Sequence, residues 1–173
     1  MNRVTYLILL LSLLALSGCE RYLDRLACND ATKEGDYGGW TIVDQGLAHD
    51  PDTGLRWYRC NAGERFTVGG CTGTALKVDL ASARAYARDF AATSGRNWRL
   101  PTLREMAQLR QAQCHNPAIN PQLFPSVTVD KYWASDESPY GRRLGCSFYT
   151  FNGNGTCRDL ASEPKLFWLV FDG

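Results

Sequence analysis

Short segments that alternate apolar and polar residues begin near residue 40, with turn-forming residues between them. Trp40–Val43 and Leu55–Tyr58 both have this strand pattern, and Asp50–Gly54 lies between them. In that segment proline presets φ, aspartate can hydrogen-bond within its own turn, and glycine accepts a positive φ. We therefore predict that the two strands form a β-hairpin.

The next part of the chain changes to the apolar spacing of helices. Asp79 is a good N-cap and Gly95 a good stop signal. The apolar positions that share one face between them are Leu80, Ala83, Ala87, Phe90 and Ala91. A second, shorter helix is predicted to begin after Thr102, because Thr102 and Glu105 have the spacing of a capping box.

The last third of the chain returns to strand patterns. Asn116–Pro125 contains three prolines and is predicted to be an irregular loop. Lys131–Ala134 and Ser147–Phe151 read as strands, and Asn152–Gly155 has hairpin-turn chemistry. Leu166–Phe171 is apolar and long enough for a central strand. Two helices among short strands and long loops predict an α+β domain.

The N-terminus has a different, continuous apolar pattern. Arg3 precedes the run Val4–Leu16, which has about the length of a signal-peptide core. The segment Leu16–Cys19 (Leu-Ser-Gly-Cys) resembles the lipobox of bacterial lipoproteins at all four positions. This resemblance implies cleavage before Cys19 and lipidation of that cysteine. The alternatives are an uncleaved membrane helix and an ordinary signal peptide with an incidental cysteine.

These patterns predict one domain behind a processed leader. Residues 1–18 are the predicted signal peptide, residues 19–39 the lipidated cysteine with a polar tether, and residues 40–173 a single domain. Lys and Arg total 19 and Asp and Glu total 18, which gives a net charge of +1. With so balanced a charge, no broad basic field is expected, and we predict no nucleic-acid partner.

The cysteines indicate an oxidising compartment. Apart from Cys19, the chain has six: Cys28, Cys60, Cys71, Cys114, Cys146 and Cys157. An even number in an exported protein predicts three disulfides, although the sequence leaves several pairings open. Cys60–Cys71 would bracket a glycine-rich loop, Cys146–Cys157 would flank the late hairpin, and Cys28–Cys114 follows by elimination. No CxxC motif occurs, so we predict no zinc site.

Several segments together resemble one known family. They are Asp52–Trp57, the helix Ala81–Ala92, Asn97–Thr102, Asn116–Asn120 with Phe124-Pro125 behind it, and Tyr132–Ser135. This set resembles the family named after the C-terminal domain of Lcl, a bacterial collagen-like adhesin, over roughly residues 43–171. The resemblance implies a C-type-lectin-like fold with two helices flanking a loop-rich antiparallel sheet. The chain departs from the family in its last strand, Phe167–Phe171, which lacks the usual basic residues.

Catalytic and metal chemistry find little support in the sequence. In the segment Glu163–Lys165 an ammonium group stands where calcium-dependent lectins place an oxygen ligand, and calcium is bound by oxygen. Asp50 and Asp52 could hold a structural calcium, but a capped turn explains them better. Paired cysteines supply no thiolate, and no HExxH or GxSxG motif occurs. We predict neither an enzyme nor a cofactor.

Binding chemistry is better represented. Tyr140, Arg142 and Arg143, with Asp136 nearby, lie in one loop and are the candidate ligand-binding residues. Aromatic faces stack on sugar rings, and guanidinium groups bind carboxylate or sulfate, although a hydrated loop would look the same in sequence.

The remaining aromatic residues are expected to be structural. Trp98 and Trp133 are predicted to lie in the core, and Arg99 is expected to bond loop carbonyls near Pro117. Phe167 and Trp168 alternate along the last strand, so one of the two is expected to be exposed.

The predicted function is a lipid-anchored envelope protein with a non-catalytic binding module that recognises a glycan or a protein. The alternative is a periplasmic structural or inhibitory (immunity-type) lipoprotein that acts through one protein partner. The membrane is contacted through the lipid. Glu20 after Cys19 resembles the sorting signal of outer-membrane lipoproteins, so the outer membrane is the favoured location.

Overall fold

The computed structural model describes residues 26–44 and 46–173 of an α+β protein. The predicted signal peptide and Cys19 lie outside these residues. The helices are α1 (Cys28–Ala31), α2 (Leu80–Ser94) and α3 (Leu103–Gln108). The strands are β1 (Thr41–Asp44), β2 (Leu47–His49), β3 (Leu55–Tyr58), β4 (Glu64–Thr67), β5 (Gly70–Gly73), β6 (Lys131–Glu137), β7 (Leu144–Tyr149), β8 (Asn154–Leu160) and β9 (Val170–Asp172). Within the described ranges, no helix has the length and apolar character needed to cross a membrane.

The first sheet has the order β1-β2-β3-β9 and is antiparallel throughout. The predicted turn is present, since the Asp50 carboxylate accepts the Thr53 hydroxyl at 2.6 Å and the Asp52 N–H at 3.0 Å. However, the turn joins β3 to β2, and β1 pairs with β2 rather than with β3. The predicted hairpin partner was therefore wrong, because β2 has three residues and is too short to show a periodic pattern.

The other strands form two further antiparallel sheets. β4 and β5 make a separate two-stranded hairpin, and β6, β7 and β8 make a three-stranded sheet in chain order. The turn predicted at Asn152–Gly155 connects β7 to β8, and Asn152 Oδ1 accepts the N–H of Asn154. Gly153 supplies the positive φ of this turn.

The C-terminal apolar segment differs from the prediction of one long strand. Regular pairing is confined to β9, where Val170 lies opposite Trp57 of β3. Before it, Leu166 accepts the N–H of Trp133 at 2.8 Å, and Phe167 accepts the N–H of Ala62 at 3.1 Å. The segment thus crosses from the β6 sheet to the β3 sheet and is covered on both sides. Phe167 and its neighbour Trp168 are both fully buried, so the expected exposed aromatic does not exist.

Both predicted helices, α2 and α3, begin where local signals place them, and α2 also ends at its predicted glycine. The Asp79 carboxylate accepts the Ser82 N–H at 2.7 Å, and Gly95 ends α2 with a φ of +69°. At α3 the side chains of Thr102 and Glu105 each accept the other's backbone N–H, as a capping box requires. Capping satisfies amide groups that have no partner inside a helix.

Arg99 has different partners from those expected. Its guanidinium group forks onto the Glu105 carboxylate with two contacts of 2.8 Å and reaches Asp172 at 3.4 Å. It therefore supports the start of α3 and the end of β9, rather than the loop around Pro117. Burial is the largest single influence and opposes the charge on Glu105, but the hydrogen bonds from Arg99 and Thr102 and the positive charge of Arg99 together outweigh it and hold the pKa of Glu105 below its ordinary value.

The core consists of two apolar clusters. One lies between the sheets around Trp57, Tyr132 and Trp168, and the other lies under α2 around Trp98 and Trp133. The Trp133 indole is fully buried and donates to the Val78 carbonyl at 2.9 Å. Trp98 and Trp133 therefore have the core positions that the sequence predicts.

Three disulfides connect distant parts of this fold. They are Cys28–Cys114, Cys60–Cys71 and Cys146–Cys157, the pairs favoured by spacing and elimination. The first of them ties the predicted tether to the domain. Further contacts follow, because Asn120 donates to the Asp36 carbonyl at 2.8 Å and the Trp40 ring lies 6.3 Å from that of Trp57. Residues between Cys28 and Trp40, which the sequence assigns to the tether, therefore contact the domain.

Candidate functional site

One concave surface of the described residues is a groove of about 740 Å³. It lies between the first turn of α2 and the connection from β6 to β7, and we call it the α2 groove. Its lining residues are Asp79, Leu80, Ala81, Arg84, Asp136, Glu137, Ser138, Pro139, Gly141, Arg142, Leu144, Ala161 and Ser162. A concave surface with a few polar groups is the usual form of a ligand site.

The α2 wall of the groove is held rigidly by its own hydrogen bonds. The Leu80 N–H donates to the Ala161 carbonyl at 3.0 Å, and the Ser82 N–H donates to Asp79. The hydrogen bond from the Ser82 backbone lowers the pKa of Asp79, which stays ionised as the cap. Since these two amides already have acceptors, neither is free to donate to an anion in the groove.

The opposite wall is also fixed internally. Asp136 accepts the N–H of Leu103 at 2.6 Å, so its carboxylate caps the start of α3. The Ser138 hydroxyl donates to the Cys157 carbonyl at 2.6 Å and accepts the Tyr140 N–H at 3.2 Å. Beneath the loop, the Cys146–Cys157 disulfide joins β7 to β8. The wall is therefore preorganised, which lowers the entropic cost of binding.

Two arginines supply positive charge to the groove. Arg84 is half-buried and donates to the Ser135 carbonyl at 3.1 Å, whereas Arg142 is exposed. Within residues 26–44 and 46–173, neither guanidinium group has a carboxylate partner. Since Asp79 and Asp136 are engaged with backbone amides, Glu137 is the lining acid that remains exposed without such a role. These groups suit a ligand rich in hydrogen-bond acceptors.

The four predicted binding residues do not share one surface. Asp136 and Arg142 line the groove, and Asp136 has the structural role described above. Tyr140 is 58% exposed and lies outside the lining, as does Arg143, whose carbonyl accepts the Ala161 N–H. The predicted loop thus forms one wall of the groove, but only two of its four candidate side chains line it.

Tyr140 has a partner that the sequence did not reveal. The Arg158 guanidinium lies 4.6 Å from the Tyr140 ring centroid and donates to its hydroxyl at 3.1 Å. This hydrogen bond raises the pKa of Arg158, which remains charged. The pair forms a flat exposed platform beside the groove, a surface on which a sugar ring or an aliphatic side chain can stack.

Arg84 and Arg158 are the two site residues missed in the sequence. Arg84 directly follows the buried Ala83, so a helical projection of α2 places it at the edge of the apolar face. This position on the helical projection was the sequence signal that could have identified Arg84. No comparable signal marks Arg158, because its contact with Tyr140 depends on how the loop folds back over β8.

A smaller pocket of about 200 Å³ continues along the same side of α2. It is lined by Arg84, Ala87, Arg88, Trp98, Arg99, Leu100 and Ser135. Arg84 borders both cavities, so the concave surface extends along the helix beyond its first turn.

Possible metal and nucleophile positions lie elsewhere. Ligand atoms of Cys60, Glu64 and Cys71 approach one another within 4.8 Å, but both sulfurs belong to a disulfide and cannot bind a metal as thiolates. Cys114 is likewise bonded to Cys28, so it has no thiolate that the neighbouring His115 could activate as a nucleophile. The lining of the α2 groove contains neither cysteine nor histidine among the described residues.

Comparison with known proteins places the chain in a family. The model of the Lcl C-terminal domain matches residues 46–171, which is more than two thirds of the chain. No curated protein and no solved structure matches it. The matched region runs from β2 to β9 and includes both walls of the α2 groove. The chain therefore belongs to the Lcl C-terminal domain family.

Proposed function

We propose that this chain is a lipid-anchored protein of the cell envelope whose domain binds a ligand in the α2 groove without catalysing a reaction. The ligand is a glycan or another envelope protein, and the anchor is the lipid on Cys19, with the outer membrane as the favoured location. The observation that carries the proposal is the preorganised groove lined by the guanidinium groups of Arg84 and Arg142, neither of which forms an ion pair among the described residues. The Tyr140–Arg158 platform at its side supports a ligand with flat apolar faces.

The same proposal includes a C-type-lectin-like architecture. Two features support it: β9 near the C-terminus pairs with β3, and α2 and α3 flank the antiparallel strands. In such an architecture the late loops present ligands, and the β6–β7 connection is a late loop. The wall that carries Arg142 is therefore in the part of the fold suited to recognition.

Binding is expected to be independent of calcium. The buried Lys165 Nζ lies 2.7 Å from Glu163 and 3.9 Å from Asp159, and it faces the Trp133 ring at 4.6 Å. Together with Lys131, which contacts Asp159 at 2.6 Å, this ammonium group balances the charge of the two carboxylates that could otherwise attract a cation. Because calcium needs several oxygen ligands, a fixed positive charge at this place disfavours it.

A glycan array probed with the oxidised protein tests the proposal. We expect selective binding that persists in EDTA and weakens about tenfold in Arg142→Ala, equivalent to the loss of about one charge-assisted hydrogen bond. Arg65→Ala is the matched control, because Arg65 is also an exposed arginine but lies on the β4–β5 hairpin.

Two results would contradict the proposed site. Unchanged binding by Arg142→Ala would show that the groove does not bind the ligand. Loss of binding in EDTA would show that binding depends on calcium. If no glycan binds, crosslinking from a photoreactive group at position 142 should instead capture one envelope protein.

A further inference from the structure

One end of the β6–β7–β8 sheet carries neighbouring aromatic rings, and the backbone of the exposed Leu26 adjoins them. The N–H of His115 donates to the Leu26 carbonyl at 3.1 Å, the His115 ring lies 5.5 Å from Phe151, and Phe151 stacks on Tyr149 at 5.7 Å. Leu26 is 62% exposed and Tyr149 37% exposed. We call Leu26, His115, Phe151 and Tyr149 the aromatic row.

The aromatic row and the α2 groove lie at opposite ends of this sheet. Tyr149 ends β7 and is paired with Lys131 at the start of β6 and with Asn154 at the start of β8. The groove residue Leu144 begins β7. Five residues of strand separate Tyr149 from Leu144, a distance of about 17 Å at the usual rise per residue.

The disulfide Cys28–Cys114 brings the N-terminal chain to the same end as the aromatic row. Cys28 donates its N–H to the His115 carbonyl, so the chain enters the domain beside that row. Nine residues lead from Cys19 to Cys28, and they span at most about 30 Å when fully extended. A lipid on Cys19, as in the proposed function on which this inference rests, would keep this end close to the bilayer.

We propose that the aromatic row is a membrane-docking surface that lies in the headgroup region of the bilayer and turns the α2 groove away from it. Tyrosine is enriched at membrane–water interfaces because its ring is apolar and its hydroxyl is polar, and exposed Leu26 adds apolar area. Arg110 packs over Gly153 next to the row and presents a positive charge to anionic headgroups. The domain thus has a fixed orientation, with the ligand site facing the space beyond the membrane surface.

Short-range fluorescence quenching tests this orientation. The lipidated full chain is reconstituted in vesicles of phosphatidylcholine with a minority of phosphatidylglycerol, made with either ordinary or brominated acyl chains. The signal is the tryptophan fluorescence of the variant minus that of the wild type. For Tyr149→Trp, we expect this signal to be at least twofold lower in vesicles with brominated acyl chains than in ordinary vesicles. Tyr140→Trp is the matched control, since Tyr140 is an exposed tyrosine at the groove end, and its added fluorescence should persist.

The outcomes separate the docking surface from the anchor. Chain that does not float with the vesicles overturns both the lipid anchor and the docking surface. Chain that floats but shows no quenching in Tyr149→Trp, or equal quenching in both variants, overturns the docking surface alone. Leu26→Trp, at an exposed position outside the sheets, repeats the test if Tyr149→Trp does not fold, and it should be quenched in the same way. Binding of an envelope protein to the row would appear as protection of Tyr149→Trp from brominated lipid, which also overturns the proposal.

Discussion

At the residue scale, a small network of ion pairs and hydrogen bonds stabilises the largely buried charge of Asp159. Its carboxylate contacts Lys131 Nζ at 2.6 Å and Lys165 Nζ at 3.9 Å, and it accepts a short hydrogen bond from Ser147. Burial alone would raise the pKa of Asp159, but the hydrogen bonds from Lys131 and Ser147 and the two positive charges outweigh it, so the pKa is lowered. Charged Asp159 therefore stabilises the fold.

We expect Asp159→Asn to lower the free energy of unfolding by about 2 kcal/mol at pH 7, the order of a hydrogen bond to a charged group. A depressed carboxyl pKa stabilises the fold above the unfolded-state pKa of about 3.9, and this contribution disappears as pH falls through the folded-state value. The difference in unfolding free energy between the variant and the wild type should therefore be smaller at about pH 3 than at pH 7. Urea unfolding at both pH values measures it.

Asp172→Asn is the matched control for Asp159→Asn. Its carboxylate also contacts a cation, Arg99, but its side chain is 80% exposed. Exposed ion pairs contribute little, so this variant should change stability by less than about 0.5 kcal/mol. An Asp159→Asn effect of the same size at pH 7 and pH 3 would show that its charge is not the cause.

At the element scale, one glycine decides how closely α2 approaches the three-stranded sheet. A Cβ atom on Gly145 of β7 would lie 2.7 Å from Leu80 Cδ2 and 2.8 Å from Trp133 Cζ3. Both distances are shorter than van der Waals contact. The missing side chain therefore allows the first turn of α2 to pack on β7 and sets the width of the α2 groove.

We expect Gly145→Ala to destabilise the protein by about 1 to 3 kcal/mol, the usual cost of overpacking a core. It should also weaken ligand binding, because the first turn of α2 must move. Gly69→Ala is the control: no atom lies within 4 Å of the added Cβ, and the change should be small. Thermal unfolding of both variants measures the difference, and equal melting temperatures would contradict the packing argument.

At the scale of the whole molecule, the disulfides differ in the length of chain that they close. Cys28–Cys114 closes a separation of 86 residues, whereas Cys60–Cys71 and Cys146–Cys157 each close 11. In the chain-entropy model, a longer closed loop restricts the unfolded state more strongly. The bond that fixes the N-terminal segment is thus also the one expected to stabilise the fold most.

Replacing Cys28 and Cys114 together by alanine should lower the free energy of unfolding by about 4.6 kcal/mol, and the same change at Cys60 and Cys71 by about 3 kcal/mol. Urea unfolding of the two double variants under oxidising conditions compares them. A larger loss for the Cys60–Cys71 pair would show that native packing around that bond, rather than loop length, determines its contribution.

The sequence by itself determined the features that depend on neighbours a few residues apart. Asp79 and Thr102 mark the starts of α2 and α3, because an N-cap and a capping box act within one turn of helix. The turn after Asp50 is equally local. The even number of cysteines predicted the three disulfides, and the pattern of two helices among short strands predicted the α+β class.

Tertiary structure alone decided the features that depend on distant parts of the chain. The pairing of β3 with β9, the burial of both Phe167 and Trp168, and the contact between Arg158 and Tyr140 all depend on segments whose proximity no local pattern encodes. The α2 groove is of the same kind, since its walls come from α2 and from a loop more than forty residues later. Local hydrogen bonding and periodicity are written in short segments, whereas a binding surface exists only after apolar burial has brought separate segments together.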